Sequence, residues 1–121
     1  METYDLIIIG AGPGGYVGAI RAAQLGQKVC VIERRDAGGT CLNRGCIPTK
    51  SFLYTSELFS KANRDFELLG LHAENVTYDP ARMYDRKDQV VARLRGGVEQ
   101  LLKSNGVTRL ALSEEDRQAR D

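Results

Sequence analysis

The sequence predicts an α/β fold with a parallel sheet and flanking helices, and three observations support this prediction. A short apolar run rich in β-branched residues, 4–9, is followed by a glycine cluster, a helical segment and a second apolar run, 28–32. Two longer segments with helical spacing of apolar residues come next, and a further apolar run, 107–112, follows them. Strands that alternate with helices in this way are typical of parallel sheets.

The first two strands and the helix between them form a βαβ unit of about 30 residues. Val17, Ile20, Ala23 and Leu25 place the helix over 16–25, and Gly26 supplies its end.

Two amphipathic helices are predicted in the middle of the chain. The first covers 51–69 and ends at Gly70, and the second runs to Lys103, with Asp79 as its N-cap and Pro80 as its first residue. Its Gly96–Gly97 pair costs about 1 kcal/mol per glycine relative to alanine, so we expect a close backbone contact there.

Composition and charge exclude several classes of function. The 121 residues carry 17 Lys and Arg against 16 Asp and Glu, so the net charge is +1, which disfavours a dedicated nucleic-acid binder. The longest apolar run, 6–12, is far shorter than the roughly 20 residues of a membrane span. An export signal begins with positively charged residues and continues with a long apolar core, whereas this chain has the acidic residues Glu2 and Asp5 in that region. We therefore expect a cytoplasmic, soluble domain with no membrane partner.

A glycine-rich turn follows the first strand. Gly10, Gly12 and Gly15 match G-x-G-x-x-G, which permits a tight turn, a close approach to pyrophosphate and close packing of helix on strand. Glu33, 18 residues after Gly15, ends the second strand, where an acidic side chain accepts hydrogen bonds from a ribose. The pattern favours a Rossmann-like dinucleotide site over a structural glycine turn, but it does not separate FAD from NAD.

Cys41 and Cys46 form a C-x4-C pair. Three cysteines in a cytosolic chain do not suggest a fold held together by structural disulfides. On a regular helix their Cα atoms would lie roughly 8.6 Å apart, whereas a disulfide needs less than about 7 Å. A bridge therefore requires a departure from regular helix, which Gly45 and Pro48 can supply. Two buried inert thiols are the main alternative; a zinc site is disfavoured because it needs four ligands.

Three segments resemble the flavin-dependent pyridine nucleotide-disulfide oxidoreductases. They are 10–16, 39–50, which is the most specific, and 86–98, and the similarity extends from about residue 4 to residue 108. The resemblance implies an FAD-binding, Rossmann-like domain that is incomplete in this chain. We expect residues 1–112 to form its N-terminal part with a redox disulfide, and 113–121 to be a frayed charged tail outside the family pattern.

The resemblance also implies roles for individual residues. Cys41 would exchange with the dithiol substrate, and Cys46 would lie next to the flavin and form a charge-transfer contact as a thiolate. Lys50 would stand near the flavin ring, and Thr40 near the phosphates or the flavin. The full set of cofactor-binding residues implied is Gly10, Gly12, Pro13, Gly14, Gly15, Glu33, Arg34, Gly39, Thr40 and Lys50. No metal is expected.

The parent protein implied by the resemblance transfers electrons from dihydrolipoamide, free or on a lipoyl domain, through the disulfide and FAD to NAD+. Its NAD domain and its interface domain, which makes it a homodimer, have no counterpart in this chain, and His72 is expected to be a surface residue rather than part of a catalytic pair. We therefore expect a truncated or frame-shifted product that is inactive alone. The alternatives are part of a glutathione- or mercuric-type reductase, or a non-catalytic nucleotide-binding remnant.

Overall fold

A three-stranded parallel sheet organises the chain, and the computed structural model describes residues 1–112. The central strand, β2, pairs in parallel with β1 on one side and β3 on the other. This confirms the predicted α/β class. In chain order the elements are β1 (Leu6–Ile9), α1 (Pro13–Gln24), β2 (Val29–Glu33), α2 (Gly39–Arg44), α3 (Cys46–Arg64), a 3-10 turn (Glu67–Leu69), α4 (Pro80–Ser104) and β3 (Thr108–Ala111).

Two helices begin earlier than the apolar spacing predicts. Helix α1 starts at Pro13 instead of residue 16, and α3 starts at Cys46 instead of residue 51. Both starts carry a proline in the first turn, where the missing amide hydrogen would have had no partner within the helix. Helix α4 begins as predicted, since the Asp79 side chain accepts hydrogen bonds from the amides of Ala81 and Arg82.

The core lies on one face of the sheet. Val29 and Val31 of β2 are buried there against α1, which contributes Ala19 and Ala22. The small alanine side chains allow α1 to approach the sheet closely. Helix α4 packs onto the same cluster through Val98 and Leu102. Cys30, which points to the opposite face, is also buried, as expected for a small apolar residue.

The opposite face of the sheet is largely exposed within the part of the chain that the structure describes. Ile9 is 85% exposed and Ile7 54%, and Leu110 of β3 is 47% exposed. Ile9, Ile32 and Leu110 lie in one row across the three strands, so they form a continuous apolar strip. Such a strip favours burial against another part of a longer chain or against a partner.

The Gly96–Gly97 pair does not make the close contact that we expect from the sequence. A Cβ atom added at either position would meet nothing within 4 Å among the described residues. Both glycines lie on the exposed side of α4, away from Val98 and Leu102. The expectation of a close approach is therefore wrong, and packing does not require these glycines.

The tail predicted at 113–121 lies outside the described residues, and the boundary at residue 112 stays a prediction. Within residues 1–112, none of the helices has the length and apolar character that a bilayer crossing requires.

Replacing Leu102 with alanine should lower the free energy of unfolding by about 2–5 kcal/mol, because the side chain is only 1% exposed and its loss leaves a cavity in the core. Leu101→Ala is the matched control, since Leu101 is adjacent in sequence and 51% exposed. Urea unfolding followed by circular dichroism measures both. Equal midpoints for the two variants would contradict the packing of α4 against the sheet.

Candidate functional site

The turn between β1 and α1 is closed by backbone contacts that only glycine permits. Gly10 adopts a φ of +103°, in the left-handed region, and its amide donates to the carbonyl of Ile32 at 2.7 Å. A Cβ atom at Gly15 would overlap the carbonyl oxygen of Gly10 and touch Ile8. The first turn of α1 is thereby packed directly against the end of β1.

The N-terminus of α1 is open towards solvent and has the properties of an anion site. Its N-cap is Gly12, which has no side chain to cap the helix, and Pro13 is the first helical residue. The first amides of a helix have no partner within it, and the helix dipole adds positive potential there. A pyrophosphate can therefore bind at the start of α1, as the glycine motif predicts.

Glu33 joins the end of β2 to this turn. Its two carboxylate oxygens accept hydrogen bonds from the amides of Ala11, at 2.8 Å, and Arg35, at 2.9 Å. Partial burial raises the pKa of the Glu33 carboxyl, but the amides of Ala11, Arg35 and Arg34 and the charge of Arg109 outweigh that effect and lower it. The carboxylate is therefore ionised near neutral pH.

The lowered pKa of Glu33 predicts a pH dependence of stability. A carboxyl with a lower pKa in the folded state stabilises the fold above its unfolded pKa, about 4.3, and loses that effect as the pH falls through the folded value. From about pH 6 down to about pH 3, the unfolding free energy of the wild type should therefore fall more steeply than that of Glu33→Gln.

Urea unfolding at a series of pH values measures both chains. The other carboxyls are common to both, so the difference between the two curves isolates Glu33. Parallel curves would show that the amide hydrogen bonds do not depend on the ionised carboxylate.

A second glycine turn packs against the first. The amide of Gly38 donates to the carbonyl of Ala11 at 2.7 Å. A Cβ atom at Gly39, whose φ is +76°, would come within 2.7 Å of the Cα atom of Gly12. The loop that carries α2 is thus held directly against the start of α1. The sequence shows this segment only as a polar loop with two glycines.

These contacts surround a cleft of about 360 Å³ at the carboxyl ends of the strands. Parallel sheets of this kind bind ligands at that edge. Predicted cofactor-binding residues that line it are Gly10, Glu33, Arg34, Gly39 and Thr40. Sequence reasoning missed Arg35, Asp36 and Arg44, which also line it; Asp36 and Arg44 form an ion pair at 2.8 Å. The two residues are eight apart in sequence, and no motif that we used pairs them.

Cys41 and Cys46 form a disulfide beside this cleft, next to Thr40. The helix breaks at Gly45, with φ −123° and ψ −107°, and this break brings the two Cα atoms to 4.7 Å. The predicted departure from regular helix is confirmed at Gly45, whereas Pro48 lies within the first turn of α3. Both cysteines are exposed, so the alternative of two buried inert thiols is wrong.

The other predicted site residues lie outside the cleft lining, on α1 and on α3, and His72 lies in the segment after α3. Gly12, Pro13 and Gly14 form the start of α1, and Lys50 is exposed one helical turn after Cys46 on α3. Lys50 does not line the cleft; it lies on the side of α3 that carries Cys46. His72 is exposed, as predicted.

A larger cavity, about 580 Å³, lies between α3 and α4, and its lining is mainly apolar, including Phe59, Phe66 and Met83. None of the predicted cofactor or cysteine residues lines it. It therefore does not belong to the site described here.

A parallel sheet with a glycine turn, an acidic residue ending β2 and an exposed disulfide at the same edge is typical of a nucleotide-binding fold that carries a disulfide. Comparison with known families gives the same class: residues 4–118 match the pyridine nucleotide-disulphide oxidoreductase family. The chain belongs to this family.

Curated relatives share about half of the aligned residues. Dihydrolipoyl dehydrogenase from Staphylococcus aureus is 54% identical over 107 residues, and that from Geobacillus stearothermophilus is 52% identical. The one from Chlamydia trachomatis serovar D is 49% identical. Each alignment covers 88% of this chain and 22–23% of the relative, so the chain spans about a fifth of the length of these enzymes.

A solved structure supports the same fold. The copper(II) complex of the HOCl-induced flavoprotein disulfide reductase RclA from Escherichia coli aligns with a TM-score of 0.73 and 29% identity. The alignment covers 92% of this chain and 22% of that one. The observed sheet and helices therefore correspond to part of a flavoprotein disulfide reductase fold.

Proposed function

We propose that this chain is the FAD-binding, disulfide-carrying part of a dihydrolipoyl dehydrogenase, which oxidises dihydrolipoamide and reduces NAD+. The observation that carries the proposal is the continuity of the cleft with the disulfide: Thr40 lines the cleft, and Cys41 follows it directly. The curated relatives at 49–54% identity are dihydrolipoyl dehydrogenases, which supports the choice of substrate.

The residues present fit the adenosine diphosphate half of FAD. The uncapped start of α1, with Gly12, Pro13, Gly14 and Gly15, suits the pyrophosphate, and the close approach of Gly39 to Gly12 leaves no side chain in the way. The ionised Glu33 suits the ribose hydroxyls and would repel a phosphorylated ribose. Arg34 and Thr40 line the remaining wall of the cleft.

The chemistry of this chain is thiol–disulfide exchange. A thiolate of the dithiol attacks the Cys41 sulfur, and the Cys41–Cys46 bond breaks with Cys46 leaving as a thiolate. The second substrate thiolate attacks the substrate sulfur of the mixed disulfide, closes the substrate disulfide and releases Cys41. The substrate loses two electrons, the cysteine pair gains two, and two protons pass to solvent.

Lys50 lies one turn after Cys46, where its positive charge favours the Cys46 thiolate over the thiol. The chemistry that FAD supplies when bound is that of a two-electron acceptor for the reduced cysteine pair and a hydride donor to NAD+. That last transfer needs a second nucleotide site, and the sequence holds one G-x-G-x-x-G turn. We therefore expect the 121-residue chain alone to show no NAD+ turnover.

The proposal extends to partners and compartment. In a complete enzyme we expect homodimerisation and recognition of lipoamide, free or on a lipoyl domain, in the cytoplasm. The near-zero net charge supports neither nucleic acid nor an anionic membrane as a partner. Leu110, on the exposed face of the sheet, would then be covered by further parts of the enzyme, whereas Ile9 and Ile32 also line the cleft.

The test is the visible absorption of the purified chain with FAD, before and after one equivalent of dihydrolipoamide. We expect a flavin spectrum that gains a long-wavelength charge-transfer shoulder. Failure to bind FAD would overturn the FAD-binding part of the proposal. A shoulder that appears with two equivalents of glutathione but not with dihydrolipoamide would favour a glutathione-type reductase.

A further inference from the structure

We propose that Asn43 is a positioning residue that holds the Cys41 segment in the geometry from which the disulfide closes. Asn43 lies between the two cysteines in sequence, and its side chain makes three hydrogen bonds to the residues around their segment. The inference rests on the proposed redox function of this pair and assigns one side chain the control of its dithiol–disulfide equilibrium.

The Asn43 amide group uses one donor on the loop before α2 and the other on the first residue of α2. Its Nδ2 donates to the carbonyl oxygens of Ala37 and Gly39, each at 2.9 Å. Ala37 is fully buried in the core, and Gly39 packs against Gly12 of the first glycine turn. The Asn43 amide therefore ties α2 to the segment 37–39, which itself contacts the nucleotide-binding turn through the Gly38 amide and the packing of Gly39 on Gly12.

The third contact of Asn43 reaches a different part of the chain. The Nε of Arg95, on α4, donates to the Asn43 Oδ1 at 2.8 Å. The same guanidinium lies 3.5 Å from Asp36, which also pairs with Arg44 of α2 at 2.8 Å. Asn43 thus joins α2, the loop before it and α4 in one polar network.

The chemistry of these three partners requires asparagine. Two carbonyl oxygens need two N–H donors, and the guanidinium needs an oxygen acceptor, so a carboxamide in one orientation satisfies all three. Aspartate keeps the acceptor for Arg95 but loses both donors and places an anion beside two carbonyls. Alanine loses all three contacts.

The expected consequence concerns the reduced state. In the oxidised chain the covalent bond keeps Cys41 and Cys46 together, whereas in the reduced chain only the non-covalent contacts of this segment do so. Without Asn43, the segment preceding the Gly45 break can occupy more conformations, and the two thiols meet less often. Disulfide formation becomes less favourable, so the bridge becomes easier to reduce.

The experiment is a titration of the purified 121-residue chain in glutathione redox buffers, with the fraction of disulfide read by thiol alkylation and mass spectrometry. We expect Asn43→Ala to lower the equilibrium constant for disulfide formation by about tenfold, the size expected for the loss of its hydrogen bonds. For this two-electron couple, tenfold corresponds to a potential about 30 mV less negative.

Asn63→Ala is the matched control, because Asn63 makes a comparable 2.8 Å hydrogen bond to the carbonyl of Phe59 within α3, away from the cysteines. Its potential should equal that of the wild type. Arg95→Ala removes the partner of Oδ1 and should shift the potential in the same direction by less. If Asn43→Ala does not fold, Arg95→Ala and Asn43→Asp provide the same test.

The outcomes separate the two proposals. A wild-type chain whose Cys41 and Cys46 form no reversible disulfide would overturn the proposed redox function. A wild-type chain that titrates normally, with Asn43 and Arg95 variants at the same potential, would overturn the positioning role alone. Thermal unfolding of each variant distinguishes a loss of stability, which a merely structural residue would show, from a change of potential.

Discussion

Cys46→Ser is expected to abolish the oxidation of a dithiol by this chain. The remaining Cys41 thiol has no partner in a disulfide, so the substrate has no S–S bond to attack and the electron pair has no acceptor among the cysteines. The rate of reduction by dihydrolipoamide should fall on the order of 10³-fold or more, as is usual when one member of a catalytic unit is removed.

The measurement is the number of thiols that appear after one equivalent of dihydrolipoamide. The wild type should gain two, at Cys41 and Cys46, and Cys46→Ser none. Cys30→Ala is the control, because Cys30 is buried in β2 and forms no disulfide; it should gain two thiols like the wild type. Reduction of Cys46→Ser at the wild-type rate would show that the bridge is not the site of exchange.

The first two strands, the helix between them and the nucleotide turn could be predicted because their signals are local. Hydrophobic runs, the glycines at 10, 12 and 15, and Glu33 at the end of β2 all fall within the first βαβ unit, where neighbours in sequence are also neighbours in space. The break at Gly45 could be predicted for the same reason, since five residues separate the two cysteines.

The network around Asn43 could not be predicted because its partners are distant in sequence. Arg95 is 52 residues away from Asn43 in sequence. Without the packing of α4, the sequence indicates only a charged residue on the solvent-facing side of a helix. The close approach of Gly39 to Gly12 has the same origin. Conversely, Gly96 and Gly97 suggested a close contact that the fold does not contain, because a glycine pair in a helix has more than one possible cause.

Gly15→Ala is expected to cause the largest loss of stability of any single methyl group added to the site. The new Cβ would overlap the carbonyl of Gly10, and because these are backbone atoms, only a shift of the backbone can relieve the overlap. We expect a loss of about 3 kcal/mol or more, at or above the upper end of overpacking costs. The displaced start of α1 should also weaken FAD binding, because its amides would no longer meet the pyrophosphate.

Gly96→Ala is the matched control, since it adds the same methyl group at a helical position where no other part of residues 1–112 lies within 4 Å. Because alanine favours helix over glycine, this variant should be more stable than the wild type by up to about 1 kcal/mol and should bind FAD equally well. Urea unfolding and FAD fluorescence titration separate the two effects. If Gly15→Ala unfolds at the wild-type midpoint, the turn between β1 and α1 is more open than this structure shows; a loss of FAD binding with unchanged stability would instead place the defect in the phosphate site alone.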